Sequence, residues 1–253
     1  MDTRIYLTGR VALEAGGELI VRERQFRGQQ DRVLFAYLVC ERARPLPREE
    51  LAAILWSEET PPAWQTSLSA LVSRLRRLLA CDELRARGIA ISQEFGQYQL
   101  HLPGDAWVDL EAGASYLDAA EGALRAGEPK RAFGPATVAA GIAARPFLSS
   151  AEGPWVQAQR RKLERQRVRA LECLAHIWLA SGEPLLAVEA ADEALSVDPY
   201  RETAHQLLMR AHALAGNPAE AVRSYHRLRD LLAADLGTDP TKETEAVYLE
   251  VLG

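Results

Sequence analysis

Glycine and proline recur at a fixed interval in the C-terminal half of the chain, and few architectures satisfy such a pattern. Gly182 and Gly216, Pro184 and Pro218, Ala187 and Ala221, and Val188 and Val222 are paired at a spacing of 34 residues. The two copies read SGEPLLAVEAADEAL and AGNPAEAVRSYHRLR. A glycine suits the residue just past a helix, and a proline suits the first turn of the next one. The alanines mark where paired helices touch. A helix pair of this length cannot bury its own apolar face, so successive pairs must stack. Gly127-Glu128-Pro129 resembles a further copy, out of phase through an insertion around Pro135 to Pro154. Asp198-Pro199 is expected to supply an N-cap and a first-turn proline to the helix between the copies, and Gly237 before Pro240 to close the next-to-last helix.

This period is that of tetratricopeptide repeats, and from Asp109 onward the chain reads as helix after helix. The N-terminal part follows other rules. Ile5-Tyr6-Leu7, Val11-Ala12-Leu13 and Leu19-Ile20-Val21 read as short strands, with Gly16-Gly17 as a turn. From about Gln29 the period becomes helical. Val33, Leu34, Tyr37 and Leu38 form one face of a first helix, which ends before Arg44-Pro45-Leu46-Pro47. A second helix is expected from Arg48 to about Trp56, and Pro61-Pro62 opens a third. After Gly88 strands return, as Ile89-Ala90-Ile91 and Tyr98 to Leu102 around a turn near Gly96. Strands, three helices and a closing hairpin make a winged helix-turn-helix, whose third helix enters the major groove with the hairpin beside it.

The third helix carries the chemistry. Leu68, Leu71, Val72, Leu75, Leu78 and Leu79 form an apolar stripe. The opposite face holds Thr66, Ala70, Ser73 and Arg77, flanked by Ser69, Arg74 and Arg76. Small and hydroxyl residues admit a close surface, and arginines reach phosphates or guanine edges. The competing reading of these arginines is a solvated face near a helix C-terminus, where cations suit the dipole.

Net charge is −5, which at first argues against a nucleic-acid partner. Residues 1–105, however, hold 14 arginines and 14 acids, so the excess of acid lies entirely beyond them. Clustering matters more than the total, and five arginines fall between Arg74 and Arg87 against Asp82 and Glu83. The string from Arg160 to Arg169 is a second basic run, read either as a further DNA contact or as a solvated helix face.

Other chemistries find little support. His101, His176, His205, His212 and His226 lack metal-ligand spacing, and Cys40, Cys81 and Cys173 form no paired motif, so no metal, cofactor or disulfide is expected. Catalytic motifs are absent and no enzyme activity is expected. The tryptophans and Tyr225 read as packing anchors, with Trp64 either buried under the second helix or lying against a DNA backbone. With no long apolar run and an N-terminus, MDTRIYLTGR, unlike a signal peptide, the expectation is a soluble cytoplasmic protein with no membrane partner.

Taken in order, these residues resemble the SARP-type bacterial activators, in which an OmpR-type winged helix precedes a bacterial transcriptional activator domain. The resemblance rests on Leu51-Ala52-Ala53-Ile54-Leu55-Trp56, Pro61-Pro62 and Val72-Ser73-Arg74-Leu75-Arg76-Arg77-Leu78-Leu79. It continues through Arg145-Pro146-Phe147-Leu148, Trp155, Asp198-Pro199-Tyr200-Arg201-Glu202, Gly216, Ala221, Tyr225 and Leu236-Gly237-Thr238-Asp239-Pro240. It implies binding of double-stranded DNA at promoter direct repeats, recruitment of RNA polymerase holoenzyme, and a homodimer on DNA. Arg74 and Arg76 match DNA-contacting positions of the broader winged-helix group; Arg77 is a candidate by its outward angle. Relatives often carry a cation after the wing tyrosine, where this chain has Gln99, and Glu94 adds an acid. The Gly that often follows the tryptophan of the second helix is Ser57 here. No receiver domain, P-loop or phosphopeptide-binding extension is found in the sequence, so no built-in nucleotide switch is expected.

The expectation is therefore a mainly α protein with a small β component. Residues 1–105 form the winged-helix DNA-binding domain and 106–253 an all-α, tetratricopeptide-like activator domain. Thr66, Ser69, Ser73, Arg74, Arg76, Arg77, and Gln97 and Gln99 of the wing are the candidate DNA-binding residues. Two alternatives stay open: a helical-repeat adaptor whose winged helix binds protein, and a repressor of the same architecture.

Overall fold

The computed structural model describes residues 3–253. Met1 and Asp2, which begin the 1–105 segment and the stretch unlike a signal peptide, lie outside the described residues. The protein is mainly α with a small β component: a winged-helix β/α region, followed in sequence by tetratricopeptide-like helices. Two compact units are present. One contains the chain up to Ala112 together with Arg145–Lys162; the other contains Gly113–Ala144 and Leu163–Gly253.

In the first unit, β1 (Thr3–Tyr6), β2 (Ala12–Ala15) and β3 (Glu18–Val21) form an antiparallel meander. The sheet order is β3-β2-β1-β7, because β7 (Trp107–Val108) returns parallel to β1 in the register Arg4↔Trp107 and Ile5↔Val108. Asp109, fully buried, follows β7 and begins α5 (Asp109–Arg125). Its carboxylate accepts the backbone N–H groups of Leu7 (2.9 Å) and Thr8 (2.9 Å) and the Thr8 hydroxyl (2.8 Å), which pins the end of the sheet.

Three helices follow the meander in sequence. They are α1 (Gln29–Cys40), α2 (Arg48–Leu55) and α3 (Trp64–Leu78), followed by a short α4 (Asp82–Ala86) that periodicity does not reveal. Helix α1 is buried all round from Val33 to Val39, where one apolar face is expected. The reason is a second layer supplied from far along the chain: the Trp155 ring meets Tyr37 edge-on at 5.0 Å and Phe147 at 5.6 Å. Helix α3 behaves as its stripe requires, with Leu68, Leu71, Val72, Leu75 and Leu79 buried; Leu78 is half-buried. A three-stranded sheet in the order β4-β6-β5 closes the region, from β4 (Leu46–Pro47), β6 (Gln97–His101) and β5 (Ala90–Glu94). The β5–β6 turn places Phe95 (φ 48°) and Gly96 (φ 77°) both in left-handed backbone.

The second unit holds α5 from Gly113 on, α6 (Pro129–Ala143), the part of α7 (Pro154–Ala180) from Leu163 on, α8 (Pro184–Val197), α9 (Glu202–Leu214), α10 (Pro218–Leu236) and α11 (Lys242–Leu252). The recurring glycines and prolines have one geometric cause. Gly127, Gly182 and Gly216 lie at φ 73°, 73° and 75°. The next residue in each case donates its N–H back to the carbonyl five residues earlier: Glu128 to Ala123, Glu183 to Trp178 and Asn217 to His212, each at 2.9 Å. Proline then opens the following helix. This is the Schellman closure, which only a residue free to adopt positive φ completes without strain. Alanine dominates where the helices meet: Ala120, Ala123, Ala132, Ala136, Ala139 and Ala170 share one cluster with Leu117, Cys173 and Ile177. Farther on, Tyr225 stacks on Tyr248 with centroids 4.0 Å apart.

Two local expectations fail. Asp198 does not cap α9, which begins at Glu202 behind Arg201. Instead Asp198 closes α8, and its carboxylate accepts the Tyr200 N–H at 3.2 Å, because an aspartate side chain readily bonds the backbone two residues ahead. Pro135 begins no insertion either. It lies inside α6, and the extra segment starts after Ala143.

Among the described residues no helix is long and apolar enough to cross a membrane, and no group of three or more His, Cys, Asp or Glu residues is placed to hold a metal ion.

Candidate nucleic-acid interface

Helix α3 contains no acidic residue, and its outer line is the one expected: Thr66, Ala70, Ser73 and Arg77 are exposed, with Ser69, Arg74 and Arg76 half-buried beside it. The hydroxyls are held against the helix. Ser69 Oγ donates to the Gln65 carbonyl at 2.8 Å, and Ser73 Oγ to the Ser69 carbonyl at 2.7 Å. Each hydroxyl oxygen keeps acceptor capacity on the outer face.

The three arginines of α3 have three different environments. Arg74 reaches α1, where Asp31 accepts its Nε at 3.0 Å. Arg76 turns toward the wing, donating Nε to the Ile91 carbonyl at 3.0 Å with its guanidinium 5.8 Å from the Tyr98 ring centroid. Arg77 stays exposed, with one long contact of 3.4 Å from Nε to the Ser73 carbonyl. Arg74 and Arg77 share an open cleft of about 320 Å³ with Gln25, Arg27, Asp31 and Leu78.

A second group lies on the other flank of α3. Arg48, at the start of α2, donates to Ser69 Oγ at 3.0 Å and to the Tyr98 hydroxyl at 3.4 Å, and its guanidinium lies 5.8 Å from the Tyr98 ring centroid. Tyr98 is therefore a buried post between two arginines, one from α2 and one from α3. Neither Arg48 nor Arg27 is among the residues expected from sequence. Arg48 has no periodic signal, since only the fold sets the N-terminus of α2 beside Ser69. Asp31 does carry a local signal, as the lone acid of α1.

The wing glutamines are brought to a different place. Gln97 and Gln99 line a depression with Pro45, Ser92, Glu94, Phe95 and His101, a lining that includes no residue of α3. Gln97 is exposed, whereas Gln99 donates Nε2 to the Arg42 carbonyl at 3.0 Å. Alternation along β6 explains this: Gln97 and Gln99 share one face and Tyr98 takes the other. Glu94 and the wholly exposed Phe95 stand at the tip. Trp64, the first residue of α3, is half-buried.

The second basic run is divided. Arg160 turns inward to the Phe147, Leu148 and Ala151 carbonyls. Farther along α7, Arg167 pairs with Glu193 at 2.8 Å and Arg169 with Glu121 at 2.8 Å. Arg161, Lys162 and Arg165 are exposed.

Comparison with known proteins bears on this architecture. Residues 108–252 match the model of the bacterial transcriptional activator domain. The chain belongs to that family. It is 30% identical over 223 residues to the regulatory protein AfsR of Streptomyces coelicolor, covering 88% of this chain and 22% of AfsR. To the transcriptional regulatory protein EmbR of Mycobacterium tuberculosis it is 30% identical over 225 residues, covering 88% of this chain and 57% of EmbR. The chain thus spans about a fifth of AfsR and little more than half of EmbR. The solved structure of Mycobacterium tuberculosis EmbR in complex with a low affinity phosphopeptide superposes with a TM-score of 0.85 at 25% identity, covering 99% of this chain and 65% of that one. These relatives carry regulatory names.

Proposed function

We propose that this protein is a sequence-specific DNA-binding transcription regulator, with residues 1–105 reading DNA and residues 106–253 forming the activator domain. The observation that carries the reading is the acid-free outer face of α3, exposed at Thr66, Ala70, Ser73 and Arg77 and flanked by Arg48, Arg74 and Arg76. A face of small residues bordered by guanidinium groups fits the floor of a major groove between two phosphate rails. Ser69 and Ser73 offer short polar contacts, Arg74 a base contact, and Arg76 and Arg77 backbone contacts. Gln97 and Gln99 are the wing's contribution, weak because they line a depression apart from α3, Gln99 is engaged by the Arg42 carbonyl, and the wing lacks a cation. The relatives' names support regulation of transcription.

The protein acts in the cytoplasm as an activator. Two copies bind head to tail on promoter direct repeats, with recognition helices about one helical turn apart on one face of the duplex, and recruit RNA polymerase holoenzyme.

Arg77→Ala is the cleanest test, since Arg77 is exposed and has no ion pair among the described residues, whereas Arg74→Ala would leave Asp31 buried without its partner. Genomic fragments are selected on the purified protein at two salt concentrations and sequenced. A direct-repeat motif whose enrichment falls with salt is the expected result, with Arg77→Ala binding more weakly and with a salt slope shallower by about one. An inverted repeat would refute the head-to-tail arrangement. No enrichment at low salt would refute DNA binding and favour the adaptor.

A further inference from the structure

Asp31 is an acid where the fold offers no obvious use for one. It lies in the first turn of α1, ahead of the wholly buried stretch from Val33 to Val39, and its side chain is 2% exposed. Its Oδ2 accepts the Arg27 backbone N–H at 3.0 Å, which satisfies a donor just outside the helix. A hydrogen bond to one backbone amide does not require a full charge, and an ionised carboxylate at this depth is costly unless it is paired. The pairing comes from α3: Arg74 places Nε and Nη2 each 3.0 Å from Oδ1.

The edge used by this contact decides what Arg74 has left. A guanidinium carries five N–H donors in a rigid plane. Asp31 occupies the Nε–Nη2 edge, so the terminal Nη1–Nη2 edge is left to face away from the carboxylate. Arg74 remains 28% exposed and lines the cleft shared with Arg27 and Arg77. A terminal guanidinium edge is the shape that meets O6 and N7 of guanine with two parallel hydrogen bonds. An arginine without a buttress loses rotamer freedom on making that contact, and one already held does not. Arg77, with no such support, is suited to a phosphate and carries no base preference.

We propose that Asp31 is a positioning residue for base readout: it clamps one edge of Arg74 and so aims the other at a guanine in the major groove. This rests on the reading of α3 as the DNA-contacting helix. Sequence preference at that base pair is therefore set partly by a side chain of α1 that does not touch DNA. Asp31 offsets the charge of Arg74, so the phosphate attraction falls to the exposed arginines, Arg77 above all.

The test uses the full chain and the motif selected by the wild-type protein. Fluorescence anisotropy then measures binding to the motif duplex, to duplexes in which each G·C pair is replaced in turn by A·T, and to a random duplex. Wild type is expected to discriminate at the guanine read by Arg74 by about 5- to 150-fold, the range of a bidentate contact. Asp31→Asn, with its melting temperature recorded, is expected to lose at least about fivefold of that discrimination at that pair alone. Its binding to random duplex is expected to be no weaker than that of wild type, since a negative charge beside the interface is removed. Arg74→Lys identifies the pair, and adding Asp31→Asn to it is expected to cause no further loss there. If Asp31→Asn does not fold, Asp31→Glu replaces it, moving the carboxylate by one methylene, with the same expected loss. A wild-type protein that selects no motif overturns the DNA-binding reading itself. A motif that is selected but discriminated equally well by the Asp31 variant overturns this proposal alone. An even loss of affinity for every duplex also overturns it, since that is the behaviour of a residue that only caps α1.

Discussion

Replacing Arg160 by methionine separates the two readings of the basic run on α7. The side chain is 23% exposed and lies under the segment that follows α6. Its Nε donates to the Phe147 carbonyl at 3.1 Å, and its Nη2 to the Leu148 and Ala151 carbonyls at 2.7 and 2.8 Å. Phe147, Leu148 and Ala151 are all buried, and Leu148 holds a positive φ of 43°. Methionine keeps an apolar stem as far as the position of Nε and supplies no donor. Hydrogen bonds from a charged group contribute about 1.5–3 kcal/mol each. Three of them share one side chain and water can reach part of the site, so the total loss is about 2–4 kcal/mol rather than the simple sum. The segment is tied to the sheet by the Gly9 N–H on the Pro146 carbonyl, at 2.8 Å, and closed by the Ala151 N–H on the Leu148 carbonyl, at 2.8 Å. Native-state hydrogen exchange of these two amides in Arg160→Met is expected to be about 30- to 1,000-fold faster than in wild type, at roughly 1.4 kcal/mol per tenfold. Arg161→Met, on the exposed side, is expected to leave both amides unchanged. The salt slope of DNA binding is expected to be the same in Arg160→Met as in wild type. Exchange within threefold of wild type, or a shallower salt slope, would refute the structural assignment of Arg160.

Three further outcomes are expected. Phe95→Asn at the wing tip removes a left-handed strain of about 1 kcal/mol and loses no burial, and asparagine suits a turn in which both central residues have positive φ; the melting temperature of the winged-helix unit is expected to rise by about 2–4 °C, and a fall would show that Phe95 is held by packing. Burial works against ionisation of Glu202, yet hydrogen bonds from Thr244 (2.5 Å) and Thr241 (2.7 Å) outweigh it and hold its carboxyl below the usual carboxylate range. A depressed folded pKa stabilises above the unfolded value of about 4.3 and is lost as pH falls through the folded one, so the stability advantage of wild type over Glu202→Gln is expected at pH 7 and to shrink progressively as pH falls below about 4.3; an advantage independent of pH would refute the ionic origin. Burial pushes the thiols of Cys40 and Cys173 up to about 12, so at pH 8 a thiolate fraction on the order of 10⁻⁴ leaves both unalkylated by iodoacetamide until the protein is unfolded; native-state labelling of either, read by mass spectrometry, would contradict that burial.

Several features were legible in the chain because local rules impose them. The recurring glycine and proline, 34 residues apart in two copies and out of phase in a third, encode one backbone turn at Gly127, Gly182 and Gly216, and a left-handed residue followed by a helix start has few other solutions. The stripe of α3 and its opposite face follow from 3.6 residues per turn, so the exposure of Thr66, Ala70, Ser73 and Arg77 could be read from spacing alone. Tertiary structure decided everything that depends on which side chain meets another element. Periodicity marks Arg74, Arg76 and Arg77 as neighbours, yet one is clamped by Asp31 of α1, one lies against the wing, and one is exposed with a single long contact to its own helix. It marks Arg160 as one cation in a row, whereas the fold turns it onto three carbonyls. Even Asp198, beside a proline where a helix cap is expected, closes the helix behind it. Helical spacing determines which residues share a face, because that is a property of one segment's backbone; the partner of a long, flexible guanidinium is determined by the approach of a second segment, which no local pattern contains.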